Sequence, residues 1–299
     1  MIKTVKEYEN FLSIEDKHSN LQDSSIAIIQ APYEHTVSYG KGAALGPKAI
    51  IEASWQVEFY DDEFDRELCF EKGIATIEPI EFGNKIDQDA LELIYQQASD
   101  LLASNKFVVT LGGEHTISTA PIKAHFEKFP NMSILQFDAH SDLRDSYQDS
   151  KYSHASIMAR VCEFFPSSKI TQVGIRAQCI EESLLIKENH INTFYASGIR
   201  TGKYGHNWIE KLVNTLGSEI YITFDVDAFD SSIMPTTGTP EPDGISYRDS
   251  LDIFREIVNQ GKKIIGFDVV ELAPVEGIHH TNLTCARLVY KLLNYTFCK

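Results

Sequence analysis

Several features that would assign this chain to other classes of protein are missing from its 299 residues. No apolar run approaches the roughly 20 residues that a membrane-spanning helix needs. The N-terminal segment mixes charges throughout, unlike a signal peptide. The five cysteines are scattered and never form a CxxC pair, which argues against a disulfide framework or a zinc knuckle. We therefore expect a cytoplasmic protein with reduced thiols and no membrane association.

Positive charge is also scarce in this sequence. The chain has 27 Lys and Arg residues against 43 Asp and Glu residues, so its formal net charge is −16. Nucleic acids and anionic membranes bind basic surfaces, so neither is expected as a partner. The excess of acidic side chains suits a cationic substrate or bound metal ions instead.

The order of apolar and polar segments predicts one α/β domain. Because the chain has no Pro/Ser-rich linker, repeat or low-complexity segment, we predict a single domain over residues 1–299, with residues 1–24 as an N-terminal extension. Short, nearly continuous apolar runs, typical of strands buried on both faces, occur at 24–32, 107–113, 132–140, 169–175, 219–227 and 263–274. Helical spacing occurs at 89–105, 247–261 and 281–295. This alternation predicts a mostly parallel sheet, and the polar stretch 141–168 is predicted to be a functional or mobile loop.

Acidic and histidine side chains cluster where the apolar runs end. The four run ends concerned are Glu114–His115, Asp138–Asp142, Asp225–Asp227 and Asp268–Glu271. In open α/β sheets, functional sites form at the carboxyl ends of the strands, so these ends can converge on one crevice. A purely stabilising role would not predict acids and histidines at these positions.

The motif FDAHSD (137–142) places three potential metal ligands at alternating positions. Alternate side chains of an extended chain point to the same side, so all three can face a common point. FDVD (224–227) repeats the pattern with two carboxylates, and the glycines of GGEH (112–115) permit a sharp turn before a histidine. The predicted metal ligands are His115, Asp138, His140, Asp142, Asp225 and Asp227.

Two divalent cations are the best explanation for this group of side chains. Four neighbouring aspartates would otherwise repel one another and resist ionisation. Mixed imidazole and carboxylate donors suit manganese, iron, cobalt, nickel or zinc better than magnesium or calcium, and the absence of thiolates argues against a structural zinc. Two cations that share carboxylates can lower the pKa of a bridging water toward neutrality, which indicates a hydrolase. The alternative from the residues alone is a structural polar network.

Five motifs of the chain resemble those of the ureohydrolase family, which includes arginase and agmatinase. They are GGEHT (112–116), FDAHSDLRD (137–145), SHAS (153–156), FDVDAFD (224–230) and DVVELAP (268–274). The resemblance implies a three-layer α/β/α fold of the arginase type, homotrimers or homohexamers, and two manganese ions, with other divalent transition metals as alternatives. It also implies that His154 shuttles a proton and that Glu271 binds a guanidinium group, in a reaction that releases urea and an amine.

The resemblance also implies how the ligands divide between the two ions. One ion would be held by His115, Asp138, Asp142 and Asp225, and the other by Asp138, His140, Asp225 and Asp227. Asp138 and Asp225 would therefore bridge the two ions.

The choice of substrate depends on smaller features. GGEH and GTPEPDG (238–244) look more like agmatinases than arginases, and the loop 143–154 has acids and aromatics that suit a small guanidino substrate with a distal cation. Agmatine, cleaved to putrescine and urea, is therefore expected first. N1-aminopropylagmatine is an alternative, and a guanidino acid stays open because Arg144 and Lys151 could bind its carboxylate. The predicted substrate-binding residues are Asp145, Tyr147 and Ser153.

Two rival functions come from other classes. A zinc deacetylase-like hydrolase uses a pair of histidines, for which His279 and His280 are available, but it needs fewer acidic metal ligands. A catalytically silent regulatory subunit would be expected to lack some of the ligands, or His154 or Glu271, and this chain has all of them.

Overall fold

The computed structural model describes residues 2–298, and its central element is an eight-stranded sheet in which neighbouring strands are parallel. The strands are β1 (Ile26–Ala31), β2 (Ile74–Thr76), β3 (Phe107–Gly112), β4 (Ser133–Phe137), β5 (Ile170–Val173), β6 (Asn192–Phe194), β7 (Glu219–Asp225) and β8 (Lys263–Val270). Their order across the sheet is β2-β1-β3-β8-β7-β4-β5-β6. The four strands β3, β8, β7 and β4 are therefore adjacent at its centre.

Helices cover both faces of the sheet. The α-helices of residues 2–298 are α1 (Asp16–Ser19), α2 (Gly46–Ser54), α3 (Leu68–Lys72), α4 (Asp87–Ala103), α5 (Thr119–Lys128), α6 (Ile157–Cys162), α7 (Ile180–Glu188), α8 (Ala196–Arg200), α9 (Trp208–Asn214), α10 (Tyr247–Asn259) and α11 (His279–Thr296). One face packs against α2, α9, α10 and α11, and the opposite face packs against α4, α5, α6 and α7. The predicted three-layer α/β/α architecture is confirmed.

The apolar runs of the sequence follow from this double coverage. In β1, Ile26 and Ile28 join the core beneath α2 and α11, whereas Ala27 and Ile29 join the core beneath α4. Successive side chains of a strand point to opposite faces, so a strand that is covered on both faces needs an uninterrupted apolar run.

The six predicted strands and three predicted helices are confirmed, and the helices correspond to α4, α10 and α11. The strands β2 and β6 were not predicted. Each has only three residues and lies at an edge of the sheet, so neither is long enough to produce a periodic pattern. The sheet is also entirely parallel, where the sequence predicted a mostly parallel one.

The stretch 141–168 contains more regular structure than the sequence predicted. A 3-10 turn at His154–Ser156 leads into α6, whose Ile157, Met158 and Val161 are buried. The irregular segment between β4 and this turn is therefore shorter than predicted, and it is anchored at its C-terminal end by apolar packing.

The N-terminal residues pack on the rest of the chain. Phe11 and Leu12 are buried, and their backbone amides donate to Thr76 Oγ1 at 2.9 Å and Ser54 Oγ at 2.7 Å. The prediction of a single domain over residues 1–299 stays a prediction, and its first and last residues lie outside the described residues. Between residues 2 and 298, no helix has the length and apolar character to cross a membrane.

A polar cluster ties Glu63 to the two C-terminal helices. Its carboxylate accepts hydrogen bonds from Tyr295 Oη at 2.7 Å, Arg255 Nη2 at 2.8 Å and Lys291 Nζ at 3.0 Å. Burial raises the pKa of Glu63, but these three donors outweigh burial and lower the pKa to about 2. The cluster therefore stabilises the ionised form of this carboxyl group.

Candidate metal centre and active site

The carboxyl ends of the four central strands bring the predicted site residues together. His115 follows β3 and Asp138 follows β4. Asp225 is the last residue of β7, and Glu271 follows β8. Because these strands are adjacent and parallel, the four side chains lie at the same edge of the sheet.

His115 Nδ1 faces three carboxylates in a buried position. It lies 3.1 Å from Asp138 Oδ2, 3.1 Å from Asp142 Oδ2 and 3.3 Å from Asp225 Oδ2. A ring nitrogen carries at most one hydrogen and cannot donate to three oxygens, and within residues 2–298 this atom has no hydrogen-bond partner. One nitrogen and three oxygens that converge in this way form a set of donors that a cation would complete.

A second group of donors adjoins the first. His140 Nδ1 lies 2.9 Å from Asp227 Oδ2 and 3.7 Å from Asp138 Oδ1. In each of the two groups of three, His115–Asp138–Asp142 and Asp138–His140–Asp227, the potential ligand atoms lie within 4.8 Å of one another. Asp138 presents one oxygen to each group, as a bridging ligand would.

Local turns, not an extended chain, direct these ligands. The strand β4 ends at Phe137, and although His140 still forms a parallel bridge to Ala177, Asp142 has a left-handed backbone with φ of 54°, so the prediction that the extended chain continues to Asp142 is wrong. Asp138 Oδ1 accepts a hydrogen bond from the backbone N–H of His140 at 2.7 Å. Asp225 Oδ1 accepts one from the N–H of Asp227 at 2.8 Å. Each motif thus folds back on its first carboxylate, which leaves Oδ2 of that carboxylate near His115.

Hydrogen bonds on the far side of His115 fix its tautomer. Thr223 Oγ1 lies 2.9 Å from His115 Nε2 and donates its own hydrogen to Asp268 Oδ1 at 2.8 Å. Since that hydroxyl hydrogen is already used, Nε2 must be the donor to Thr223, and Nδ1 keeps a lone pair for the carboxylate side. Asp268 lies inside β8 beneath the ligands and also accepts from Tyr221 Oη at 2.8 Å, so it orients His115 instead of lining the crevice.

The electrostatics of the group favour bound cations. Burial, reinforced by the charge of Asp138, raises the pKa of Asp142 to about 7. Burial and the charges of Asp227 and Asp138 raise the pKa of Asp225 well above its ordinary value. The carboxylates therefore resist full ionisation together unless positive charge compensates them. Nitrogen and oxygen donors without thiolates fit divalent transition metals, so the residues present fit two such ions.

Glu271 lies beside the metal ligands and faces a cavity. Its backbone is left-handed, with φ of 67°, and its Oε1 accepts a hydrogen bond from the N–H of His115 at 2.7 Å. Burial raises the pKa of Glu271 to about 8, so a neighbouring positive charge, such as a guanidinium group, is needed to hold this carboxyl group ionised at neutral pH. The cavity has a volume of about 280 Å³, and its walls include Glu271, His154 and ligands of both groups. A small cationic group could therefore contact Glu271 next to the metal ligands.

His154 also lines this cavity. Its Nε2 is 3.2 Å from Ser38 Oγ, and its ring packs edge-on against Tyr147 with the ring centroids 6.1 Å apart. Burial and the neighbouring His140 lower the pKa of His154 to about 4. The imidazole is therefore neutral at physiological pH, with one nitrogen able to accept a proton.

The three predicted substrate-binding residues have different surroundings. Tyr147 lines the cavity. Asp145 does not, since its side chain is 96% exposed and pairs with Arg160 at 2.9 Å. Ser153 is buried and accepts a hydrogen bond from the N–H of Ala155, which caps the following turn. The placement therefore supports only Tyr147 as a residue that can contact a substrate.

The sequence did not single out Arg176 or Glu241. Nη2 of Arg176 donates hydrogen bonds to the backbone carbonyl oxygens of Asp227 and Glu241, both at 2.8 Å. Arg176 therefore connects the segment of a predicted metal ligand to the segment of Glu241. Glu241 lines the cavity, and its carboxylate makes no hydrogen bond or ion pair within residues 2–298. Arg176 could have been found from its position directly after the apolar run 169–175, and Glu241 from its place in the motif GTPEPDG.

The histidine pair that a deacetylase-like site would need lies elsewhere. His279 and His280 are exposed at the start of α11 and do not line the cavity beside the predicted ligands. The deacetylase alternative therefore finds no support in the geometry.

Comparison with known proteins agrees with the sequence motifs. The model of the arginase family matches residues 24–294. The chain is 37% identical to N(1)-aminopropylagmatine ureohydrolase of Synechocystis sp., with 91% of this chain and 89% of the relative covered. It is 34% identical to agmatinase of Bacillus cereus, with 92% and 93% covered. The structure of arginase from Medicago truncatula has a TM-score of 0.78 at 26% identity and covers 90% of this chain and 86% of its own. The resemblance to ureohydrolases is confirmed, and the chain belongs to the arginase family.

Proposed function

We propose that this protein is a two-metal ureohydrolase that cleaves a guanidino amine into urea and an amine. The observation that carries the proposal is the buried His115 Nδ1, which directs a lone pair at three carboxylate oxygens. Bound cations supply the activation of water at neutral pH. The carboxylate and imidazole donors of the chain supply the binding site, and the carboxylates hold the compensating negative charge.

The proposed ligand sets follow the two groups of donors. His115, Asp138, Asp142 and Asp225 would hold one ion, and Asp138, His140, Asp225 and Asp227 would hold the other. Manganese is the proposed metal, and metal analysis of enzyme purified without chelator would test it. Two manganese ions per chain are expected, and a single zinc would contradict the proposal.

Glu271 and His154 are proposed to act on different groups of the substrate. The free oxygen of Glu271 would accept hydrogen bonds from the guanidinium group, since a planar cation pairs well with a carboxylate. His154 would transfer a proton to the departing amine. Both side chains line the same cavity as the ligands, which supports this division of roles.

Agmatine is the first proposed substrate, and putrescine would be the amine product. A distal ammonium group fits the cavity because the Glu241 carboxylate lines it and makes no hydrogen bond or ion pair among residues 2–298, although Arg176 is near enough to interact with it electrostatically. Arg144 also lines the cavity, but its charge is partly met by Glu182 at 3.8 Å and by the ring of Tyr147 at 5.2 Å. The wall therefore favours a cationic tail over the carboxylate of a guanidino acid.

N1-aminopropylagmatine is the second proposed substrate, and the relative from Synechocystis sp. favours it. Its tail carries a second amine beyond the first, so it would have to extend toward the open side of the cavity. Urea release from agmatine, N1-aminopropylagmatine, arginine and guanidinobutyrate should be measured with manganese-loaded enzyme. We expect the two guanidino amines to be cleaved with the highest kcat/KM. Two bound metals without urea from any of the four would instead indicate a silent subunit.

The cellular setting is proposed from the same family membership and from the sequence. We infer a cytoplasmic enzyme that assembles as a homotrimer or homohexamer. Light scattering coupled to size-exclusion chromatography would test the assembly, and a monomeric mass would contradict it.

A further inference from the structure

Glu114 lies between β3 and His115, and its carboxylate holds the loop that follows β1. The side chain is fully buried. Its Oε2 accepts hydrogen bonds from the N–H groups of His35 at 2.9 Å and Thr36 at 2.7 Å. Its Oε1 accepts a hydrogen bond from the hydroxyl of Thr36 at 3.0 Å. All three donors come from one loop, and none of them is a predicted metal ligand.

Thr36 connects this carboxylate to His154. Its Oγ1 accepts a hydrogen bond from the backbone N–H of His154 at 3.0 Å and lies 3.3 Å from the ring Nδ1. A hydroxyl has one hydrogen and two lone pairs. Because the hydrogen goes to Glu114, both lone pairs are available to His154, and Nδ1 must carry the hydrogen in that contact.

This order of donors leaves the other ring nitrogen as an acceptor. His154 Nε2 keeps its lone pair and lies 3.2 Å from Ser38 Oγ on the cavity wall. A carboxylate that orients an imidazole through hydrogen bonds is a general way to fix the tautomer of a reactive histidine. Here a threonine hydroxyl stands between the two groups.

We infer that Glu114 is a positioning residue that acts through Thr36 to hold His154 as the Nδ1–H tautomer, with Nε2 toward the substrate. The inference deepens the proposed ureohydrolase function and rests on it for its catalytic consequence. In the reaction, the water oxygen bonds to the guanidinium carbon, and Nε2 takes one proton from it and gives that proton to the amine nitrogen as the C–N bond breaks. The second proton of the water leaves the oxygen as neutral urea forms and ends on the amine, which departs as an ammonium ion. The ring is neutral before and after, and nothing is oxidised or reduced.

The inference also explains why glutamate, and not aspartate, precedes His115 in GGEH. The carboxylate must reach two backbone amides and a hydroxyl on another loop, while its own N–H is fixed to Tyr33 O at 2.9 Å. An aspartate is one methylene shorter and could not keep all three contacts without moving the backbone beside the metal ligands.

Glu114→Gln tests the direction of the hydrogen bonds. The glutamine carbonyl can still accept from the two amides, but its NH2 group would donate to Thr36 Oγ1. The threonine hydrogen would then turn to His154 Nδ1, and the hydrogen of the ring would move to Nε2. We expect kcat to fall by about tenfold or more, with KM for agmatine or N1-aminopropylagmatine and metal content unchanged.

Thr36→Val and Thr36→Ser form the matched pair. Valine removes the hydroxyl at similar volume and should lower kcat to a similar extent, whereas serine keeps the hydroxyl and should restore most of the activity. The double variant with Glu114→Gln and Thr36→Val should be no slower than Thr36→Val alone, since both changes interrupt the same chain of contacts. If Glu114→Gln loses metal or does not fold, the difference in kcat between Thr36→Val and Thr36→Ser tests the inference instead.

Ring ¹⁵N chemical shifts of enzyme labelled on histidine and loaded with diamagnetic zinc report the tautomer without any turnover. The wild type should show the Nδ1–H form of His154, and Glu114→Gln should show the Nε2–H form. An Nε2–H signature in the wild type would overturn the inference, as would equal kcat in Thr36→Val and the wild type. Absence of urea release from every substrate, with the expected tautomers in place, would instead count against the proposed function.

Discussion

Replacing Glu271 by glutamine would isolate the contribution of one carboxylate to substrate binding. Glu271 Oε1 accepts from the N–H of His115, and a glutamine can keep that bond through its carbonyl oxygen. Its NH2 group would then replace Oε2, the oxygen on the side of Gly238. The negative charge that Glu271 carries beside a bound guanidinium group is lost, while the volume and the contact to His115 are preserved.

The expected magnitude follows from that lost charge. A hydrogen bond to a charged group contributes about 1.5–3 kcal/mol, and about 1.4 kcal/mol corresponds to a tenfold change. We therefore expect kcat/KM for a guanidino substrate to fall by about 10- to 150-fold. The two metal ions should stay bound, because no predicted metal ligand is altered and His115 keeps its backbone partner.

Steady-state urea release across a range of substrate concentrations, together with metal analysis, would measure this effect. Glu276→Gln provides a matched control, since Glu276 is exposed and follows the same strand. Its kcat/KM should equal that of the wild type. A Glu271→Gln enzyme with two metals and a kcat/KM within threefold of wild type would refute the assignment of Glu271 to the guanidinium.

Three further perturbations address the metal centre, the core and acid stability. Asp225→Ala removes a carboxylate shared by both proposed ligand sets, so fewer than two metals per chain are expected; full stoichiometry would contradict the bridging role. Gly266→Ala would place a methyl group 2.1 Å from His125 Nε2, and calorimetry should show a free energy of unfolding lower by about 1–3 kcal/mol. Glu63→Gln should lower it by about 1–2 kcal/mol at pH 7. Because the folded pKa of Glu63 is depressed to about 2, this difference should shrink below about pH 4.3 and vanish near pH 2, and a constant difference would exclude the linkage.

The sequence predicted which side chains meet because two strong patterns coincide. Continuous apolar runs predict parallel strands, and parallel strands place their carboxyl ends along one edge. His115, Asp138 and Asp225 each come at or just after the end of such a run, so their proximity follows from the fold class alone. The sheet order that makes their strands adjacent could not be predicted, since it depends on which strands pair with one another, and these are far apart in the sequence.

The local geometry of the site could not be predicted from periodicity. Alternation along FDAHSD suggested an extended chain, but Asp138 and Asp142 converge through a turn stabilised by side-chain to backbone hydrogen bonds. Asp145 was assigned to the substrate because it is acidic and near the motif, yet it pairs with Arg160. Such competition between partners is decided by tertiary contacts, which sequence spacing does not contain.

The proposed metal site and the proposed guanidinium site share one backbone amide. The N–H of His115 donates to Glu271, and the ring of the same residue is oriented from behind by Thr223. Truncation of Glu271 to alanine would therefore leave a buried amide without its acceptor at a metal ligand, and any loss of activity could arise at either site. The glutamine variant avoids this ambiguity because it changes the charge and preserves the acceptor. The same reasoning applies to Glu114, whose neighbouring position makes the Thr36 variants the cleaner probes of His154.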